Sequence, residues 1–217
     1  MGAAGSARAD PLAPDAVRAA YDRRARWYDG MVLFLAAGLD GVYRRSAVAA
    51  LGPPAGARVL DVGAGTGLNL PLVRSRIGAG GLLVACDASR GMLAVAREPA
   101  RRARAHLVLA DGVRLPFRAG AADALLATYV VTTVPDPVAA TAEMLRCVRS
   151  GGRVALTDDR LPPGWFLGPR ALLRGLRQRG WRDSLGPVRA ALRRACGRVA
   201  CRVWHGGLIW LLAGTRR

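Results

Sequence analysis

Lysine is absent from this 217-residue chain, which excludes every mechanism that needs a lysine Schiff base. Acid is scarce as well: 15 aspartates and glutamates stand against 33 arginines, for a net charge of +18. Beyond Arg160 the only acidic residue is Asp183, so the positive excess is concentrated toward the end of the chain. A GC-rich coding bias accounts for arginine in place of lysine, but not for arginine so outnumbering acid. A surface of this sign favours anionic lipid, nucleic acid or an acidic partner. The cysteines (Cys86, Cys147, Cys196 and Cys201) form no Cys-x-x-Cys pair and the two histidines are not clustered, so no metal centre is expected. Reduced thiols in a cytoplasmic protein are the default reading. No apolar run approaches the roughly 18 residues that span a bilayer. The first residues lack a basic start followed by an apolar stretch, so no secretory signal is expected.

What is present is 52% hydrophobic residue, enough for one well-buried domain. Residues 1–13 are small and proline-punctuated and read as a disordered tail, leaving 14–217 as a single domain. One helix is expected from near Asp15 through Tyr28 and a second from Met31 to about Leu51, stopped by Gly52-Pro53-Pro54; together 14–52 would form an N-terminal lid. Short apolar strands then follow at 58–62, 81–87, 105–109, 122–129 and 153–157. Helical stretches from Leu68, over 90–104 and over 136–148 separate most of them. This alternation implies α/β architecture with a parallel sheet covered on both faces. Residues 199–204 and 208–213 flank His205-Gly206-Gly207 as an antiparallel hairpin, giving a seven-stranded, mostly parallel sheet. Residues 160–198 read as a basic helical insertion before that hairpin.

The chemistry starts at the end of the first strand, with Asp61-Val62-Gly63-Ala64-Gly65-Thr66-Gly67. A dinucleotide fingerprint would need glycine at position 68, where this chain has Leu68. A carboxylate at the strand end also repels a pyrophosphate, yet suits a ligand that carries an ammonium group. Glycines let the backbone approach such a ligand closely. Asp61 would act through water or by orienting the loop amides near the ligand's amino-acid end. Asp87, ending the second strand, is placed to accept from both hydroxyls of a ribose. Asp111, after the third, is placed to accept from an adenine amino group while the Gly112 and Val113 backbone meets the ring. Any one of these aspartates alone reads as a helix cap. Three of them at the carboxyl ends of successive parallel strands converge at one crevice. S-adenosylmethionine (SAM), an amino acid joined through a sulfonium to adenosine, has the parts they match.

These residues carry a resemblance to a known family. The segment from Val59 to Gly67, Asp87 with Ala88, Ser89 and Met92, Asp111-Gly112 followed by Leu115-Pro116-Phe117, and Asp123 with 124–129 resemble the motifs of class I SAM-dependent methyltransferases. The turn Arg149-Ser150-Gly151-Gly152 is similar too, with Ser150 where proline is usual. The resemblance covers about residues 15–215 and implies a Rossmann-like fold with SAM as cofactor. It implies contacts to SAM from Asp61, Gly63, Ala64, Gly65, Thr66, Gly67 and Asn69, then from Asp87, Ala88 and Met92, and finally from Asp111, Gly112, Val113 and Thr128. Within the family, Tyr21-Asp22-x-x-Ala25-x-x-Tyr28-Asp29, Gly67-Leu68-Asn69-Leu70-Pro71-Leu72 and Trp204-His205-Gly206-Gly207-Leu208 resemble quinone-pathway C-methyltransferases and bacterial phosphatidylethanolamine N-methyltransferases.

The methyl acceptor is read from elsewhere. Tyr21 and Tyr28 are seven residues apart and share one helical face, either packing on the sheet or lining the site. A sulfonium methyl is already activated, so positioning and exclusion of water supply most of the catalysis. Asp158, Asp159, Tyr129 and His205 are the candidate bases; Asp158 is the preferred one, and with Tyr21 and Tyr28 it makes up the expected catalytic set. Segment 165–194 sets Arg170, Arg174, Arg177, Arg179 and Arg182 among apolar residues, with Trp165 and Trp181 bracketing them. That pattern suits an anionic membrane surface or a solvated helix. The same charge would also grip RNA phosphates, but no appended binding domain is expected and Thr128-Tyr129-Val130-Val131 suits a lipophilic acceptor. The expected function is a cytoplasmic, membrane-peripheral enzyme methylating a lipophilic or aromatic small molecule: a lipid headgroup, quinone precursor or secondary metabolite. The alternatives are an RNA or protein methyltransferase, or a SAM-binding partner subunit that transfers nothing.

Overall fold

The computed structural model describes residues 14–35, 38–160 and 184–217. The expected tail at 1–13 and residues 161–183 of the basic insertion lie outside them. In chain order the elements are α1 (Pro14–Leu35), α2 (Asp40–Leu51), β1 (Arg58–Val62), α3 (Leu70–Ile77), β2 (Leu82–Asp87), α4 (Arg90–Ala103) and β3 (Ala105–Leu109). They continue with β4 (Ala122–Thr128), α5 (Pro137–Cys147), β5 (Val148–Asp159), α6 (Leu185–Ala195), β6 (Cys196–Trp204) and β7 (Ile209–Arg216).

The sheet has seven strands in the order β3-β2-β1-β4-β5-β7-β6. The pairings from β3 across to β5 are parallel, and β7 runs antiparallel between β5 and β6. The chain therefore steps outward from β1 to β3 and returns on the other side of β1 as β4. The carboxyl ends of β1 and β4 mark the switch point where such sheets bind ligands.

Alternation in the strands sorts the core into two layers. Leu60, Val62, Leu125, Ala127 and Leu156 pack on one face with Met144 and Trp210. Val59, Leu126 and Ala155 face the other way, toward Leu51, Val73 and Ile77. A strand buried on both faces reads as a continuous apolar run, as Ala124 to Ala127 does. Helix starts are fixed locally: Ser89 Oγ accepts from Met92 N at 3.0 Å at the head of α4, and Asp136 accepts from Val138 N and Ala139 N at that of α5.

Several boundaries differ from the sequence reading, among them the start of α2, at Asp40 rather than near Met31. Helix α1 continues through Gly30 to Leu35, where a break was expected after Tyr28. A single glycine costs a helix about 1 kcal/mol and does not end it when the neighbours favour helix. Strand β5 begins at Val148, so the expected turn at 149–152 lies inside the strand, opposite a register shift between Ala122 and Ala124. Gly152 permits this, because a Cβ there would come within 2.6 Å of Val148 Cγ1.

Candidate active site

A cavity of about 350 Å³ opens at the carboxyl ends of the central strands. The glycine loop after β1 forms one side of it. Gly63 takes φ 67° and has no room for a side chain, because a Cβ would overlap Val130. Gly65 takes φ 57° and has nothing within 4 Å of a notional Cβ, so its backbone is bare toward open space. The loop is tied to β2 by Asp87, whose Oδ2 accepts from Gly65 N at 2.8 Å and whose Oδ1 accepts from Ser89 N at 2.8 Å. Burial raises the Asp87 pKa, against the pull of those amides.

Below the loop lies a buried polar network whose centre is Arg44 of α2. Its Nε donates to Asp40 Oδ2 at 2.6 Å, and its Nη1 donates to Thr128 Oγ1 at 2.9 Å and Asn69 Oδ1 at 3.2 Å. Its guanidinium also sits 5.2 Å from the Tyr129 ring centroid. Asn69 Nδ2 donates to Thr128 Oγ1 and to Asp61 Oδ1, each at 3.0 Å. Asp61 is fully buried and its Oδ2 has no partner. Burial drives its pKa up to about 7, with the Asn69 hydrogen bond and the Arg44 charge pulling the other way. An orphaned buried carboxylate oxygen at this place fits a ligand that donates, such as an ammonium group.

Helix α1 crosses over the three loops that follow β1, β2 and β3. Thr66 Oγ1 donates to Asp29 Oδ1 at 2.6 Å. Ser89 Oγ and Gly91 N donate to Asp22 Oδ1 at 2.5 and 2.8 Å, and the Ser89 bond holds the Asp22 carboxyl below its ordinary range. Arg18 Nη2 stands 3.7 Å from Asp111 Oδ2. On the same helix Tyr21 and Tyr28 have ring centroids 5.8 Å apart, and both line the cavity. Desolvation raises both phenol pKa values, so these hydroxyls stay neutral.

The residues expected to meet SAM fall into two groups. Gly63, Ala64, Gly65, Thr66, Asp87 and Ala88 line the cavity, as do Met92, Asp111, Gly112, Val113 and Thr128. Asp61, Gly67 and Asn69 stand behind that wall, and Asp61 bonds the Asn69 amide rather than orienting the loop amides. Asp158 is corrected most. It is buried within β5 and is not among the cavity-lining residues. Its Oδ1 accepts from Thr132 Oγ1 at 2.7 Å and Asp159 N at 2.9 Å, and its Oδ2 accepts from Thr132 N at 3.1 Å. Burial, and then the charge of Asp159, raise its pKa to about 7. His205 is likewise away from the cavity, bonded to the Tyr43 hydroxyl. The sequence reading missed Arg44, Asp40 and Arg18. The available signal for the first two was an acid and an arginine four residues apart on one helix, a weak one among 33 arginines.

Comparison with known proteins agrees with this arrangement. A family model described as a methyltransferase domain matches residues 60–156. The demethylmenaquinone methyltransferase of Beutenbergia cavernae is 37% identical over 150 residues, covering 69% of this chain and 60% of that protein. The 2-phytyl-1,4-naphtoquinone methyltransferase of Synechococcus elongatus is 33% identical over 155 residues, covering 70% of this chain and 66% of that one. The chain thus spans less than two thirds of the length of these curated relatives. Among solved structures, a SAM-dependent methyltransferase from Thermotoga maritima, titled a possible histamine N-methyltransferase, aligns with a TM-score of 0.65 at 18% identity. That alignment covers 93% of this chain and 100% of the other, and it shows a shared fold. The strand order, the glycine loop with its carboxylates at successive strand ends, and these matches agree: the chain belongs to the class I SAM-dependent methyltransferases.

Proposed function

We propose that this chain transfers a methyl group from SAM to a quinone precursor, a lipophilic aromatic acceptor, in the cavity beneath α1. One observation carries the reading: a single cavity gathers the glycine loop, Asp87 and Asp111 together with three tyrosines, Tyr21, Tyr28 and Tyr129. The first set matches the cofactor and the second an aromatic acceptor. The relatives named for demethylmenaquinone and 2-phytyl-1,4-naphtoquinone support an acceptor of quinone type.

The residues present fit SAM. The loop from Gly63 to Gly65, its backbone bare toward open space at Gly65, would receive the amino-acid portion, with Arg44 offering charge to its carboxylate and Asp61, behind the wall, acting on its ammonium through charge rather than contact. Asp87 and Ala88 would hold the ribose, and Asp111, Gly112 and Val113 the adenine. Thr66, Gly67, Asn69, Met92 and Thr128 shape and support these walls. When bound, SAM supplies a methyl group already activated by its positive sulfur. What remains for the protein is to align an acceptor and keep water out, which is where positioning enters the rate. Tyr21 and Tyr28 serve as neutral aromatic walls for that purpose. Asp158 acts through Thr132, holding the segment after β4 at the cavity edge, and is a positioning residue.

The charge of +18 and a lipophilic acceptor together support cytoplasmic work at the inner face of an anionic membrane. Among the described residues no helix is long and apolar enough to cross a membrane. The decisive experiment incubates the protein and methyl-labelled SAM with a prenylated naphthoquinol presented in phosphatidylglycerol vesicles, with total RNA as a parallel acceptor. Label on the quinol, and flotation of the protein with the vesicles, are expected. Label on RNA alone would replace this reading with the nucleic-acid one.

A further inference from the structure

Arg18 lies on the cavity side of α1 with its guanidinium incompletely satisfied. Its Nη2 makes one long ion-pair contact with Asp111, and its Nη1 reaches Asp15 at 3.4 Å. Its Nε is buried and has no hydrogen-bond partner. The Arg18 and Asp111 side chains are 41% and 43% exposed, so water competes with their contact and the pair by itself holds α1 weakly. Both nevertheless line the cavity beside Ala110, Gly112 and Val113, the stretch where an adenine ring would rest.

A flat ring seated there would expel water from around the pair. The same contact then strengthens as the local dielectric falls, and the guanidinium plane has a ring to stack against. Asp111 has the capacity for both duties: Oδ1 already accepts from Val113 N at 3.1 Å, and Oδ2 can be shared between Arg18 and a base amino group. We propose that Arg18 is a cofactor-binding residue supplied by α1, and that its bridge to Asp111 is the contact through which an occupied adenine site holds α1 closed. This rests on reading the cavity as a SAM site. Linkage is reciprocal, so closure of α1 raises cofactor affinity by the factor by which cofactor favours closure.

The test is calorimetric titration of the full chain with S-adenosylhomocysteine, paired with hydrogen exchange of the α1 amides with and without that ligand. The wild type should bind and gain protection over Pro14–Leu35. Arg18→Gln should bind about tenfold more weakly, a typical coupling factor, and lose that gain even at saturation. Arg18→Lys should recover part of both, keeping the charge but not the planar fork. Equal affinity and equal α1 protection in Arg18→Gln would overturn the proposal, and weaker binding with protection intact would overturn the closure half of it. A wild type that binds nothing would instead overturn the SAM reading, and the proposal with it.

Discussion

The two N-terminal helices touch the same cavity but are held in opposite ways. Helix α2 is anchored from inside: Arg44 is buried, makes hydrogen bonds to three side chains and joins α2 to β4 and to the residue that precedes α3. Helix α1 is anchored from outside, by Asp22, Asp29 and Arg18, each reaching a different loop across a part-exposed contact. Buried charges are costly to separate and exposed ones cheap. The difference makes α2 part of the frame and α1 the part able to lift and return.

The largest effect should come from breaking the inner anchor. Arg44→Leu leaves the Asp40 and Asp61 carboxylates buried without a cation, so urea unfolding at pH 7.5 should show a loss of about 3–5 kcal/mol. A loss under about 1 kcal/mol would mean that apolar packing alone holds α2 and that the contrast between the helices is wrong.

Asp61→Asn should act in the opposite direction. A carboxyl whose pKa rises from 3.8 to about 7 on folding takes up a proton between those values, so stability falls as pH climbs through that window. Removing the charge should stabilise the fold at pH 8 by about 2–4 kcal/mol and flatten part of the slope. Asp158, also raised to about 7, should keep the remainder. The same variant should bind S-adenosylhomocysteine more weakly, because the buried charge that costs stability is also the one that attracts the ligand's ammonium from behind the cavity wall. Thermal unfolding against pH and a titration check the two halves.

Smaller effects should separate α1 from the rest. A Cβ at Gly91 would lie 2.7 Å from the Asp22 Cα and carbonyl oxygen, so Gly91→Ala should push α1 off the head of α4 at a cost of about 1–2 kcal/mol. Faster amide exchange confined to α1 would confirm it; exchange spreading to β1 and β4 would show that α1 belongs to the frame after all. Asp22→Ala should be milder still, near 0.5–1 kcal/mol, since Ser89 keeps its own bond to Met92 N. Differential scanning calorimetry is sensitive enough to rank the two.

Much of this is legible in the amino-acid sequence. Strands β1 to β4 are short apolar runs closed by an aspartate, a glycine or a turn, and the glycine loop carries its own spacing. The aspartates at 61, 87 and 111 read as a set because β-α alternation alone places strand ends together. Arg44 was illegible because its meaning comes from what surrounds it, and Asn69, Thr128 and Asp40 meet it only in the folded chain. Asp158 misled for the same reason: its position just beyond the expected strand 153–157 suggested a loop at the cavity mouth, while the strand runs on to Asp159 and turns that carboxylate toward Thr132. Tyr129 adds a further case, a non-glycine residue at φ 61° whose amide still bonds Thr157 O, a backbone state that residue type alone does not announce.

Placing β7 between β5 and β6 has a consequence for how the molecule is assembled. β5 waits for its second neighbour until a segment about fifty residues further along the chain has come back beside it, and among the described residues β6 pairs with β7 alone. β1, which carries the glycine loop, meets the same demand on one side, since Val59 pairs with Ala124 about 65 residues further along, while β1–β2 and β6–β7 pair locally. Refolding should therefore show the local β1–β2 and β6–β7 pairs gaining protection before the β1–β4 and β5–β7 seams that join them, with the slow step set by the distance the chain must span to return.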